Sequence, residues 1–319
     1  MTNIGLIGLI VPTLNAGLAW EVWLKAFAQQ TRKPDTLLLI DSSSQDYTVA
    51  LAQAYGFTVQ QIAKAEFNHG GTRQMGIGML PEAEIIVFLT QDALLASPDA
   101  IGRLLAAFTD AQVGAAYGRQ LPHRHAGPIA AHARLFNYPV ASQVRSLEDS
   151  SRWGIKTAFI SNSFAAYRRS ALVQAGGFPV DTIMNEDTFV AAKMLVNGWK
   201  IAYCADAQVF HSHDYGFLDE FKRYFDIGVF HTQNNWLQEL LGGVSGEGWR
   251  FMYSELRFLL RRAPWFIPSA LLRTGLKGLG YKMGGALPRT VSRCLSLHPT
   301  YWLQTRISKK PAASLAVKR

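Results

Sequence analysis

Cysteine is scarce in this chain, and its scarcity excludes two classes at once. Only Cys204 and Cys294 occur among 319 residues, too few for a disulfide framework or a cysteine metal cluster, and a pair of this kind suits a reducing compartment. Long apolar runs are missing too. No window approaches the roughly 18 uncharged apolar residues a membrane-spanning helix needs. The opening Met1-Thr2-Asn3-Ile4 lacks the basic flank of a secretory signal, and its apolar run is broken at Pro12. No Gly-x-Gly-x-x-Gly follows the first apolar run and no Gly-x-x-x-x-Gly-Lys-Ser/Thr occurs, which disfavours a dinucleotide fold and a phosphate loop. Internal repeats and low-complexity segments are absent.

Acidic residues are rare in one region only. From Trp249 to Arg319 there are 14 Lys or Arg against the single acid Glu255, whereas residues 1–248 hold 18 against 22. The net charge of +9 thus conceals a mildly acidic body and a strongly basic tail. With 49% apolar and 17% charged residues the chain reads as globular. Its length predicts one large domain, over 1–235, and a basic helical region over 236–319.

What is present begins with Glu84 to Asp92. The run Ile85-Ile86-Val87-Phe88-Leu89 stops at Thr90-Gln91-Asp92, as a strand buried on both faces of a parallel sheet does. Ligands bind at the carboxyl ends of strands in open α/β sheets, so Asp92 is placed to hold a divalent cation against a phosphate. Strands are predicted over 4–11, 36–40 and 57–62 as well, with helices at 17–30 and 47–55 and another after residue 73, an alternation that predicts a parallel sheet with right-handed crossovers. Asp41 ends the second strand as Asp92 ends the fourth. Two strand-end acids suit a nucleotide held by a carboxylate at its base or ribose and a metal at its diphosphate.

Further on, a helix is predicted over 98–108, strands over 113–117, 159–167, 199–203 and 208–210, and a helix from Met184-Asn185-Glu186-Asp187 to Asn197. Residues 119–156, with Pro122, Gly127, Pro128 and Pro139, read as one long loop. His211 and His213 end the last strand two residues apart, which puts them on one face within reach of a single metal. Beyond Phe217 the pattern is helical. There, segments such as Trp249-Arg250-Phe251-Met252-Tyr253 mix large apolar and cationic residues, as a helix in the headgroup layer of an anionic membrane does. No nucleic-acid recognition motif accompanies that charge.

Pro12-Thr13-Leu14-Asn15, the Asp-Ser-x-Ser-x-Asp of 41–46, Asp92, Gly176-Gly177-Phe178 and Asn185-Glu186-Asp187, in this order, resemble family 2 glycosyltransferases of the GT-A fold. Phe67-Asn68-His69-Gly70-Gly71-Thr72-Arg73, Leu89 to Ala93 and Val209 to His213 are similar to bacterial rhamnosyltransferases of cell-surface polysaccharide synthesis. The resemblance implies an α/β GT-A fold with a Rossmann-like, mostly parallel sheet, and an inverting transfer from a nucleotide sugar, dTDP-β-L-rhamnose, to a lipid-linked oligosaccharide. It implies a cytoplasmic enzyme, peripheral on the inner face of the bacterial cytoplasmic membrane.

By the same resemblance Pro12, Thr13, Asn15, Asp41, Ser43, Asp46, Arg73, Gln91 and Asp92 hold the donor. Asp92, with His211 or His213, holds Mg²⁺ or Mn²⁺, although Thr90 stands where the family's first metal-site acid is expected. Asp187 is the catalytic base, with Glu186 as the alternative, since adjacent carboxylates at a helix start point in different directions. The pair would also simply complement the helix dipole. A UDP-sugar hexosyltransferase, a nucleotidyltransferase releasing pyrophosphate and an inactive nucleotide-sugar-binding scaffold are the competing readings.

Overall fold

A computed structural model describes residues 4–243 and 246–286. The last part of the basic tail, with Cys294, lies outside these residues. Nine strands form one sheet: β1 (Ile7–Thr13), β2 (Thr36–Asp41), β3 (Thr58–Gln61), β4 (Ile85–Leu89), β5 (Leu94–Leu95), β6 (Val113–Leu121), β7 (Gln143–Arg145), β8 (Phe164–Arg168) and β9 (Lys200–Phe210). Their order is β3-β2-β1-β4-β8-β6-β9-β5, with β7 also on β9.

The first four strands are parallel, as the alternation predicts. Beyond them the sheet is mixed, because β8 runs antiparallel to both β4 and β6 while β9 is parallel to β6. Both faces are covered, which is why the strands are continuous apolar runs. Along β4, Ile85, Val87 and Leu89 face a core with Trp20, Trp23, Leu24 and Phe27 of the helix Ala19–Ala28. Ile86 and Phe88 face the other core, with Val190, Met194 and Leu195 of the helix Glu186–Val196.

Three boundaries differ from the sequence reading. The stretch 119–156 contains the end of β6, the helix Pro128–Asn137, β7 and the helix Ser150–Trp153; Pro128 begins its helix, a position where the missing N–H costs nothing. Ile160 to Ser163 form a loop before β8 instead of the first half of a strand. The two strands predicted at 199–203 and 208–210 are one strand, β9, in which a register shift opposite Gly118 and Arg119 absorbs the polar interruption.

The C-terminal helices are held by contact of backbone against backbone. The helix Ile267–Gly285 lies on the helix Phe217–Gln233 with glycines at the crossing. A Cβ on Gly284 would sit 2.0 Å from the Phe225 carbonyl oxygen, and one on Gly280 2.5 Å from that of Phe221. Replacing Gly284 by Leu is therefore expected to push the helices apart and lower stability by about 1–3 kcal/mol, measured by urea unfolding; an unchanged midpoint would show the crossing to be loose.

Candidate active site

Sheet register, not chain proximity, brings together the residues expected to hold a metal. β5 pairs antiparallel with β9 so that Leu94 lies opposite Phe210, which carries Asp92 to the residues just past β9. The backbone N–H of His211 donates to the Leu121 carbonyl at 2.9 Å, continuing the ladder. The Nε2 atoms of His211 and His213 each lie 3.4 Å from Asp92 Oδ2 and 3.1 Å from one another.

The surroundings fix which atoms face inward. Gln120 Oε1 accepts from Arg134 Nη1 at 2.6 Å, so the His211 Nδ1 at 2.8 Å from the same oxygen carries a hydrogen, and the other ring nitrogen, Nε2, faces Asp92. Thr90 Oγ1 donates to Asp92 Oδ1 at 2.6 Å, turning Oδ2 toward the histidines. Burial alone would raise the Asp92 pKa. The hydrogen bond and charge of His211, the Thr90 hydroxyl and the charge of His213 outweigh that effect and hold the carboxyl well below the usual range. Burial, His211 and nearby cations push His213 down to about 4, so it is neutral at physiological pH. One carboxylate oxygen and two imidazole nitrogens, all within 4.8 Å of one another, make a donor set that could hold a divalent metal ion.

Asp92, His211 and His213 line a cleft of about 1000 Å³ that also contains Asn162, Glu186 and Asp187. Asn185, left-handed at φ 58°, precedes the helix Glu186–Val196, whose successive positions point the two carboxylates in different directions. Glu186 turns inward, where Oε1 meets Arg73 Nη1 at 3.0 Å and accepts from Asn162 Nδ2 at 3.0 Å. Asn162 is itself held by Tyr167, whose hydroxyl donates to Asn162 Oδ1 at 2.7 Å. Asp187 turns to the cleft; its Oδ2 accepts from the Asn162 N–H at 3.2 Å and its Oδ1 from the Thr188 N–H at 2.7 Å. Desolvation, then the charge of Glu186, raises the Asp187 pKa to about 7, while Arg73 and His69 outweigh burial at Glu186 and lower it.

The nucleotide residues expected from sequence form a separate cluster beside this cleft. Pro12 and Thr13 end β1. Asp41 is fully buried and accepts from Thr13 Oγ1 at 3.1 Å, Ser44 Oγ at 2.5 Å and the Ser44 N–H at 2.8 Å, so it braces its loop rather than facing solvent. Asp46 accepts from Gly17 N–H, Thr48 N–H and Thr48 Oγ1, which ties the loop after β1 to the next helix. The Asn15 side chain accepts from the Gln45 N–H. Gln91 joins the cluster to the cleft, bonding both the N–H and the carbonyl of Leu14. Among the described residues the non-glycine positions with positive φ are Asn15 and Ser43, in this cluster, and Asn185, which lines the cleft. Strain of that kind gathers where the backbone is constrained for a purpose.

Arg73 departs most from its expected role. Its side chain is 5% exposed and its guanidinium is committed to Glu186 and to the His69 carbonyl, so it supports a carboxylate instead of presenting a cation to a diphosphate.

A model of the family described as Glycosyl transferase family 2 matches residues 9–175. The chain belongs to glycosyl transferase family 2. Among curated relatives, the O-antigen chain rhamnosyltransferase WbaN of Salmonella anatum is 51% identical over 298 residues, covering 92% of this chain and 95% of that protein. The O-antigen chain rhamnosyltransferase RfbN of Salmonella typhimurium is 51% identical over 300 residues, covering 93% and 96%. Of solved structures, the mannosyltransferase PcManGT from Pyrobaculum calidifontis, in complex with GDP-Man and Mn²⁺, has a TM-score of 0.57 at 18% identity, over 96% of this chain and 88% of that one. Staphylococcus aureus TarS reaches 0.51 at 15%, over 88% and 55%. These two likenesses show the GT-A fold.

In this family 2 glycosyltransferase, sequence reasoning missed Gln120, Asn162 and Arg134. Each is hydrogen-bonded to another cleft residue, and Asn162 and Arg134 lie in segments read as strand and loop. The Pro at the start of the helix Pro128–Asn137 was the one signal that could have revealed Arg134's setting.

Proposed function

We propose that this glycosyltransferase transfers L-rhamnose with inversion from dTDP-β-L-rhamnose to a hydroxyl of a lipid-linked glycan during O-antigen synthesis. What carries the reading is the 51% identity to two O-antigen rhamnosyltransferases over nearly the whole chain, joined to a cleft that holds both a metal-type donor set and an ionisable carboxylate.

Asp187 takes the proton from the acceptor hydroxyl as that oxygen attacks the anomeric carbon, on the face opposite the departing diphosphate. Its raised pKa makes it a better proton acceptor than an ordinary carboxylate, and the Asn162 and Thr188 N–H groups keep it aimed into the cleft. Asp92, His211 and His213 would hold Mg²⁺ or Mn²⁺, which supplies charge neutralisation to the leaving diphosphate when bound. The loops of Thr13, Asn15, Asp41, Ser43 and Asp46 take the nucleoside, and Gln91 keeps them in register with Asp92.

Residues 1–235 form the catalytic portion in this reading, and 236–319 attach it to the inner face of the cytoplasmic membrane. Trp249, Tyr253, Leu260 and Trp265 are 71%, 69%, 64% and 74% exposed, among Arg250, Arg257, Arg261 and Arg262. Among the described residues no helix is long and apolar enough to cross a membrane, so contact would be with its surface.

Calorimetry with dTDP, UDP and GDP, each with and without Mn²⁺, tests the proposal. Metal-dependent preference for dTDP is expected; preference for UDP would replace the sugar by a hexose, and absence of binding would favour an inactive protein that kept the fold alone. Replacing Asp92 by Asn should remove most of the gain from Mn²⁺ while leaving metal-free binding as it was. Equal Mn²⁺ enhancement in that variant would move the metal elsewhere.

A further inference from the structure

Cations in the cleft separate into two groups by what already neutralises them. Arg73 is paired with Glu186 at 3.0 Å, Lys156 with Glu247, and Arg273 and Lys277 share Glu220 at 3.1 and 3.3 Å. Arg134 and Arg223 also line the cleft, and among the described residues neither is in an ion pair with a carboxylate. Both are half-buried, where an uncompensated charge is costly unless an anion arrives.

Both approach the Asp92, His211 and His213 cluster, from different elements. Arg134, on the helix Pro128–Asn137, donates through Nη1 to the Gln120 oxygen that also holds His211. Arg223, on the helix Phe217–Gln233, has its guanidinium carbon 5.8 Å from the centre of the Tyr215 ring, and that ring lies 5.3 Å from the His213 ring. Glutamine and tyrosine thus hold two planar, fork-shaped donors beside the carboxylate and imidazoles. Such forks match phosphate oxygens in pairs.

From this we infer that Arg134 and Arg223 bind the departing diphosphate of the donor, taking the place that Arg73 cannot fill. The inference rests on the glycosyltransferase reading. Its chemical reason is charge. A nucleoside diphosphate leaving the sugar carries more negative charge than one divalent cation facing the Asp92 carboxylate can balance, and fixed cations that need no reorganisation lower the cost of that charge. Arg223 lies beyond the residues matched by the family model, on a helix that packs against the C-terminal helix Ile267–Gly285. The helix Phe217–Gln233, braced by that C-terminal helix, would then complete the donor site.

The test uses the full-length protein with Mn²⁺, dTDP as ligand and thymidine as its diphosphate-free control. Arg223→Gln is expected to weaken dTDP by about 10- to 100-fold, the worth of a charge-assisted contact, with thymidine affinity and thermal midpoint unchanged. Arg223→Lys should recover part of the loss. An Arg223→Gln variant that binds dTDP as the wild type does overturns the inference, as does an equal loss for thymidine. A raised KM for the lipid-linked acceptor with dTDP affinity unchanged also overturns it, assigning the guanidinium to phosphate on the acceptor. If wild type binds none of dTDP, UDP and GDP, the donor reading itself fails, and this assignment with it.

Discussion

Asp187→Asn is expected to lower the transfer rate by about 10²- to 10⁴-fold, the usual contribution of a positioned general base, with donor binding little changed. Asparagine keeps the size of the side chain and its single oxygen can still accept from one of the Asn162 and Thr188 N–H groups, but it cannot take a proton. Folding should not suffer, because the substitution removes the repulsion between Asp187 and the buried Glu186. The pH profile gives a second readout. The base works when ionised, so kcat/KM of the wild type should rise with pH through about 7 and level off above it. In a Glu186→Gln variant the neighbouring charge is gone, so that acidic limb should move to lower pH. Substantial turnover by a folded Asp187→Asn protein would remove Asp187 from the base role and return it to Glu186 or to water.

For Arg73 the large effect falls on stability. Arg73→Met leaves the Glu186 carboxylate, in a side chain only 8% exposed, without its counter-ion. Breaking a buried pair by removing one partner costs about 3–5 kcal/mol, because the remaining charge is neither solvated nor compensated. That loss should appear as a lower midpoint in urea unfolding. The double variant Arg73→Met with Glu186→Gln should recover most of it, since the amide needs no counter-ion and retains the hydrogen bond from Asn162 by reorienting. If the single variant is as stable as wild type, Arg73 is not the buried partner of Glu186, and its place as a diphosphate cation reopens.

The two predictions rest on neighbouring residues that composition and spacing treat alike. Glu186 and Asp187 stand together at a helix start, and nothing in the sequence around them says which meets solvent. What separates them is the position of Arg73, which pairs with Glu186 and arrives on another helix, His69–Met79. Asn68 caps that helix by accepting from the Gly71 N–H at 2.7 Å, while Gly70 lies so close to the Pro179 carbonyl that a Cβ there would be 1.8 Å away. The His-Gly-Gly-Thr-Arg segment, whose Arg73 the resemblance places at the donor, packs closely here and delivers Arg73 to Glu186.

The amino-acid sequence by itself determined the buried strands, the alternation that builds the first four of them in parallel, the strand-end position of Asp92, the shared face of His211 and His213 and the family. These depend on periodicity, local capping and motif order, which act over a few residues and survive without knowledge of the partners. Tertiary structure decided the antiparallel insertion of β8, the helices within 119–156, the orientation of Glu186 against Asp187, the enclosure of Asp41 and the pairing state of each cation in the cleft. The reason is that a side chain's charge state and direction are set by what faces it across the sheet or from another helix. Leu94 opposite Phe210 brings Asp92 to its histidines, and no local preference of either segment encodes that register.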